Sequence, residues 1–134
     1  LIAHEITAIP GSSTHFLGSM VTYSNDAKMA ILGVKEETLK NHGAVSEEVV
    51  REMAEGVRQK LGADFGISTS GVAGPDGGSE EKPVGTVWVS IAGPNKTLAK
   101  RLKLGNSRER NIRISMLTVL NWLRQEIISG SFDK

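Results

Sequence analysis

The chain contains no cysteine, so disulfides and thiolate metal sites are excluded, as suits a reducing cytoplasm. No apolar run approaches the roughly 20 residues that a membrane-spanning helix requires, and no membrane partner is expected. Charge of one sign is not in excess either: 16 basic and 15 acidic residues leave a formal net charge of +1. With the signs mixed, no global field gathers nucleic acid or an acidic surface. Aromatics make up only 4% of the chain and do not interleave with a basic stripe, so no nucleic-acid partner is expected. Any anion must be bound locally. His4, His15 and His42 lack ligand spacing, and no metal site is expected from them. The N-terminal residues do not read as a signal peptide, since no basic segment precedes a long apolar one.

The remaining composition is that of an ordinary globular domain. At 134 residues, 39% hydrophobic and 23% charged, residues 1–134 suit a single domain with a core between two or three layers. Leu1 to Ile9 has the apolar spacing of a helix that Pro10-Gly11 stops. Neither a methionine nor a capping residue precedes it, so the expectation is a helix whose first turn lies upstream of Leu1. Phe16 to Tyr23 reads as a buried strand with β-branched Val21 and Thr22. A short helix follows, capped by Ser24 or Asn25 and stopped by Gly33.

Ser46 caps a stronger helix, with Glu47 and Glu48 in its first turn and a stripe of Val49/Val50, Met53/Ala54, Val57 and Leu61 before Gly62. Phe65 to Thr69 and Thr86 to Ala92 read as strands, and Gly93-Pro94-Asn95 turns the chain into Leu98 to Leu104 as a charged edge. Ser107 caps a final helix with a stripe of Ile112, Met116, Val119/Leu120, Leu123 and Ile127. The order α-β-α-α-β-β-β-α predicts an α/β fold: a three-layer α/β/α sandwich whose mixed sheet includes a C-terminal hairpin covered by helices.

Between two strands lies TSGVAGPDGGSEEKPVGT, Thr69 to Thr86, dense in glycine. It is neither a dinucleotide fingerprint nor a P-loop, because no helix opens after the glycines. Composition leaves two readings open. One is a flexible connector; the other is a row of bare backbone amides at a strand end, able to hold a phosphate. Glu80 and Glu81 read as solvated. At the start of the last helix Arg108, Arg110 and Arg113 oppose the helix dipole, which favours either a phosphate-binding role or a solvated basic patch.

Two motifs are more specific: Tyr23-Ser24-Asn25-x-x-Lys28, and Gly71-x-Ala73-Gly74-Pro75-x-Gly77-Gly78-x-x-x-Lys82-Pro83-Val84-Gly85-Thr86-Val87. With PGSSTHFLGSMV before them and SRERNIR after, residues from about Leu1 to Ile128 closely resemble the C-terminal domain of the CinA family, whose members include nicotinamide-nucleotide amidohydrolases. The resemblance implies conversion of nicotinamide mononucleotide to nicotinic acid mononucleotide and ammonia, with no metal or organic cofactor and with self-association.

It also implies a nucleophilic serine in a Glu-Ser-x-Thr-Gly-Gly segment directly before the residue that is Leu1 here. Lys28 would be the base and Tyr23 its orienting or relaying partner, a Ser-Lys arrangement. Lys28 suits that role, since burial and the positive end of a helix dipole both disfavour an ammonium. Substrate contacts would come from Ser70, from the loop amides at Gly71, Gly74, Gly77 and Gly78, and from Arg108. The alternative is a nucleotide-binding or regulatory domain without turnover, part of a larger CinA-like protein.

Overall fold

A computed structural model describes residues 1–133. The Gly93-Pro94-Asn95 turn is too short to carry a crossover, so β2 (Thr86–Ala92) folds back into β3 (Thr97–Lys103) as a hairpin. β1 (Gly66–Gly71) lies on the other side of β2 and is also antiparallel to it, with Thr69 opposite Val89. The sheet order is β1-β2-β3.

Alternation along β2 divides the sheet into two faces. Val87, Val89 and Ile91 point to one side, where they bury Val119 and Trp122 of α5 (Arg108–Ser129) together with Phe132. The other face meets α4 (Glu47–Leu61), which lies across all three strands. There the Ser68 hydroxyl donates to the Val50 carbonyl at 2.6 Å. The far side of α4 is covered by α2 (Asn25–Leu32) and α3 (Glu36–His42), through a second cluster of Leu32, Val34, Leu39, Val49 and Met53. Helices therefore cover both faces of the sheet, as expected of an α/β fold.

Local chemistry places the helix ends where the sequence puts them. Ser24, Ser46 and Ser107 each accept a hydrogen bond from the backbone N–H three residues on, and Gly33, Gly62 and Gly130 close their helices in the left-handed region. Of the two candidate caps for α2, it is Ser24 that acts.

Four expectations are corrected. The strand expected at Phe16–Tyr23 forms no ladder: burial alternates, with Thr22 inward and Val21 86% exposed, but none of the three described strands pairs with it. Side-chain alternation needs only an extended backbone, whereas a strand also needs a neighbour at hydrogen-bonding distance. Among the described residues the parallel component of the expected mixed sheet is consequently not formed, and both pairings are antiparallel. α3 was not anticipated, although Glu36 and Glu37 in its first turn, Lys40 and His42 in its last, and Gly43 beyond are the charges and stop of a helix. Its N-terminus is held from outside, where Glu52 of α4 accepts from Lys35 N and from the Thr38 hydroxyl.

The last correction concerns buried faces. α1 (Ile2–Thr7) buries no residue completely. On α5 the buried residues are Asn111, Ser115, Met116, Val119 and Trp122, so Met116 and Val119 of the expected stripe are inside while Ile112 and Ile127 are exposed. Near the helix start Asn111 rather than Ile112 turns inward because it meets the Ala73 and Gly105 carbonyls, for which a polar side chain is the better partner.

The tightest helix contact in the core runs through Gly56 of α4. A Cβ there would collide with the carbonyl oxygen of Leu32 at the end of α2. Helix propensity alone predicts that Gly56→Ala stabilises by about 1 kcal/mol. Overpacking against backbone, about 1–3 kcal/mol or more, outweighs this gain, and we expect a net loss of about 2 kcal/mol in urea unfolding. A variant as stable as wild type would contradict the close approach.

Candidate active site

The short helix α2 begins directly after the extended segment, and this brings Lys28 back over the residues that precede it. Its side chain is only 7% exposed, and its Nζ donates to the Thr22 carbonyl at 2.8 Å. No carboxylate forms an ion pair with it among the described residues. Burial without a counter-charge pushes its pKa below the ordinary lysine range. The Thr22 hydroxyl is buried and has no hydrogen-bond partner among the described residues.

Tyr23 points the opposite way from Thr22 and is 82% exposed. Its hydroxyl accepts from Arg108 Nη2 at 3.2 Å, and Arg108 Nη1 donates to the Gly74 carbonyl at 3.0 Å. One guanidinium thus joins the end of the extended segment, the glycine loop and the first turn of α5. Arg110 and Arg113 are exposed.

The glycines of the loop answer first to packing within the protein. A Cβ at Gly71 would meet Val87 Cγ2 at 2.7 Å, and one at Gly74 would meet Val84 Cγ1 at 2.5 Å. At Gly78 a φ of +82° and a Val84 backbone nitrogen 2.8 Å from the Cβ position both exclude a side chain. Gly77 has a φ of +88° and, by contrast, more open surroundings. The loop is therefore a folded element rather than a loose connector. Val72 N bonds the Thr86 carbonyl at 2.9 Å and Gly85 N bonds the Val72 carbonyl at 2.7 Å.

Ser70 lies on the α4 face of β1, where its hydroxyl donates to the Ala44 carbonyl at 2.8 Å. It shares no hydrogen bond with the Tyr23–Arg108–Gly74 group. The structure thus links Tyr23, Arg108 and Gly74 directly, holds Lys28 on the carbonyl of Thr22, the residue before Tyr23, and anchors Ser70 separately. Asn111 was missed by the sequence reading. It is 1% exposed, and its Nδ2 donates to the carbonyls of Ala73 and Gly105, each at 2.9 Å. A polar residue on the buried side of a helix, within one turn of the arginines, was the available signal.

These groups can handle protons and bind anions. An amine held towards its neutral form accepts a proton, a phenol can pass one on, and a guanidinium at a helix N-terminus binds an oxyanion. The depressed Lys28 pKa also has a sign in stability. Below the folded pKa the fold must bury an ammonium; as pH rises towards the unfolded value, the unfolded chain holds more protons and stability climbs. Wild type should therefore gain stability relative to Lys28→Met as pH is raised towards about 10, compared by urea titration. Parallel pH profiles would mean that the amine is not held off its ordinary value.

The fold and its sequence have clear relatives. The family model of the CinA C-terminal domain matches residues 1–127. A CinA-like protein of Desulforapulum autotrophicum is 53% identical over 129 residues, covering 96% of this chain and 30% of that protein, and one of Cytophaga hutchinsonii is 48% identical over 126 residues, covering 94% and 30%. The chain thus spans about a third of the length of the curated relatives it matches. Among solved structures, a competence/damage inducible protein from Agrobacterium tumefaciens superposes with a TM-score of 0.90 at 38% identity, covering 92% of this chain and 76% of that one. The competence damage-inducible protein A from Klebsiella pneumoniae superposes with a TM-score of 0.91 at 34% identity, covering 95% and 79%. With residues 1–127 matched by the family model and a relative 53% identical over 96% of the chain, this chain belongs to the CinA C-terminal domain family.

Proposed function

We propose that this domain hydrolyses the carboxamide of nicotinamide mononucleotide, giving nicotinic acid mononucleotide and ammonia through a Ser-Lys mechanism. The observation that carries the proposal is Lys28: a buried amine with a lowered pKa, bonded to a backbone carbonyl and paired with no carboxylate. A surface lysine is stabilised as an ammonium by water, whereas burial shifts this one towards the neutral form that a proton acceptor requires.

In the proposed reaction the serine that the family resemblance puts before Leu1 attacks the amide carbon while Lys28 Nζ takes its hydroxyl proton. The C–N bond then breaks, Lys28 returns the proton to the departing ammonia, and water hydrolyses the acyl-enzyme to the carboxylic acid. Tyr23 contributes its hydroxyl at the mouth of the site. Arg108 binds the phosphate by exchanging its contacts with Tyr23 and Gly74 for the stronger pairing with a dianion. The glycine loop offers amides to the phosphate and ribose, with Gly77 the most open position. No described helix is long and apolar enough to cross a membrane. We assign the reaction to the cytoplasm and to a self-associating protein, in keeping with a cysteine-free chain and the family resemblance.

The second reading is a nucleotide-binding or regulatory domain without turnover, part of a larger CinA-like protein. Ammonia release from nicotinamide mononucleotide by the full-length protein separates the two. Lys28→Ala should lower kcat by about 10²- to 10⁴-fold while product affinity changes little. Arg108→Ala should instead raise KM by about tenfold or more with a smaller effect on kcat. Equal turnover by Lys28→Ala and wild type removes the lysine from the mechanism, and tight binding with no ammonia from wild type selects the regulatory reading.

A further inference from the structure

Arg108 and Asn111 are three residues apart, so they share one face of α5. Their side chains reach successive carbonyls of the glycine loop: Arg108 from the solvent side to Gly74, Asn111 from the buried side to Ala73. Asn111 uses its second amide hydrogen on Gly105, in the turn that leads to the Ser107 cap of the same helix. One primary amide therefore ties the loop, the turn before the helix and the helix itself.

The loop and the turn also meet directly. A Cβ at Gly85 would lie 2.5 Å from the carbonyl oxygens of both Gly105 and Leu104, and Leu104 N donates to the Gly85 carbonyl at 2.8 Å. An apolar residue at position 111 would extend the line of Val119 and Trp122 towards the helix start. It would also leave two part-buried carbonyls without their donor, which costs free energy.

We propose that Asn111 is a positioning residue: it sets the spacing between the glycine loop and the first turn of α5, and so aims Arg108 at the anionic end of the substrate. The kinetic part of this proposal rests on the amidase reading; the tethering part does not. Asn111 touches no substrate atom and acts through Arg108 and the loop.

The test uses the full-length protein, with Asn111→Ala, Asn111→Ser and the double variant Asn111→Ala/Arg108→Ala. Amide hydrogen exchange over residues 72–78 should accelerate about tenfold in Asn111→Ala, while exchange in α4 stays unchanged. Asn111→Ser keeps one donor and should fall between, which also covers the case in which the alanine variant does not fold. KM for nicotinamide mononucleotide should rise about tenfold with kcat within about threefold of wild type. On the Arg108→Ala background most of that KM effect should vanish, since the two residues act as one unit. Unchanged exchange over residues 72–78, or a full KM effect without Arg108, overturns the assignment. Wild-type protein that neither binds nor hydrolyses the mononucleotide overturns the amidase reading, and the exchange comparison then decides the tether alone.

Discussion

Backbone packed directly on backbone is the constraint on which this fold depends. α4 can lie across the sheet because Gly66 of β1 presents no side chain to the Ala54 carbonyl, and α2 can close on α4 because Gly56 presents none to Leu32. On the opposite face Gly93 leaves room for the Phe132 ring, which completes the cluster around Val89 and Val119. At each of these places a methyl group would occupy space already filled by a main-chain oxygen or an aromatic ring. Interiors packed to crystal density give little room to yield. The layers are held at short range by absent side chains as much as by the present ones.

The same constraint builds the site. Close approach of Gly85 to the turn at Leu104 and Gly105 seats the glycine loop against the start of α5, and this proximity lets Arg108 and Asn111 reach its carbonyls. A richly glycyl loop invites a ligand-binding explanation. Here Gly71, Gly74 and Gly78 are required by the protein's own packing, and a bound anion would meet a loop already in place. Preorganisation of this kind lowers the entropy that binding must otherwise overcome.

Two cations of the candidate site have opposite electrostatic characters. Lys28 is removed from water with a single carbonyl for a partner, and desolvation dominates, favouring the neutral amine. Arg108 keeps its fork directed at a carbonyl and a phenol, both uncharged partners. One group is thereby suited to proton transfer and the other to anion binding.

The helix limits, the hairpin and the two motif segments were legible in the sequence, because a serine cap, a glycine stop and a short turn are chemistry between residues a few positions apart. α3 was legible too in its terminal charges, though its N-terminal carboxylate partner comes from Glu52, 17 and 14 positions away from the groups it holds. Pattern by itself could not say whether Phe16–Tyr23 would pair, since alternation describes one backbone and pairing needs two. It could not say which side of α5 turns inward either, because a polar Asn111 belongs inside only when carbonyls wait there. The tertiary structure alone decided that Arg108 meets Tyr23 from 85 positions away and Gly74 from 34. Contacts at that range depend on how layers stack, and stacking is set by the summed packing of the chain rather than by any local stretch.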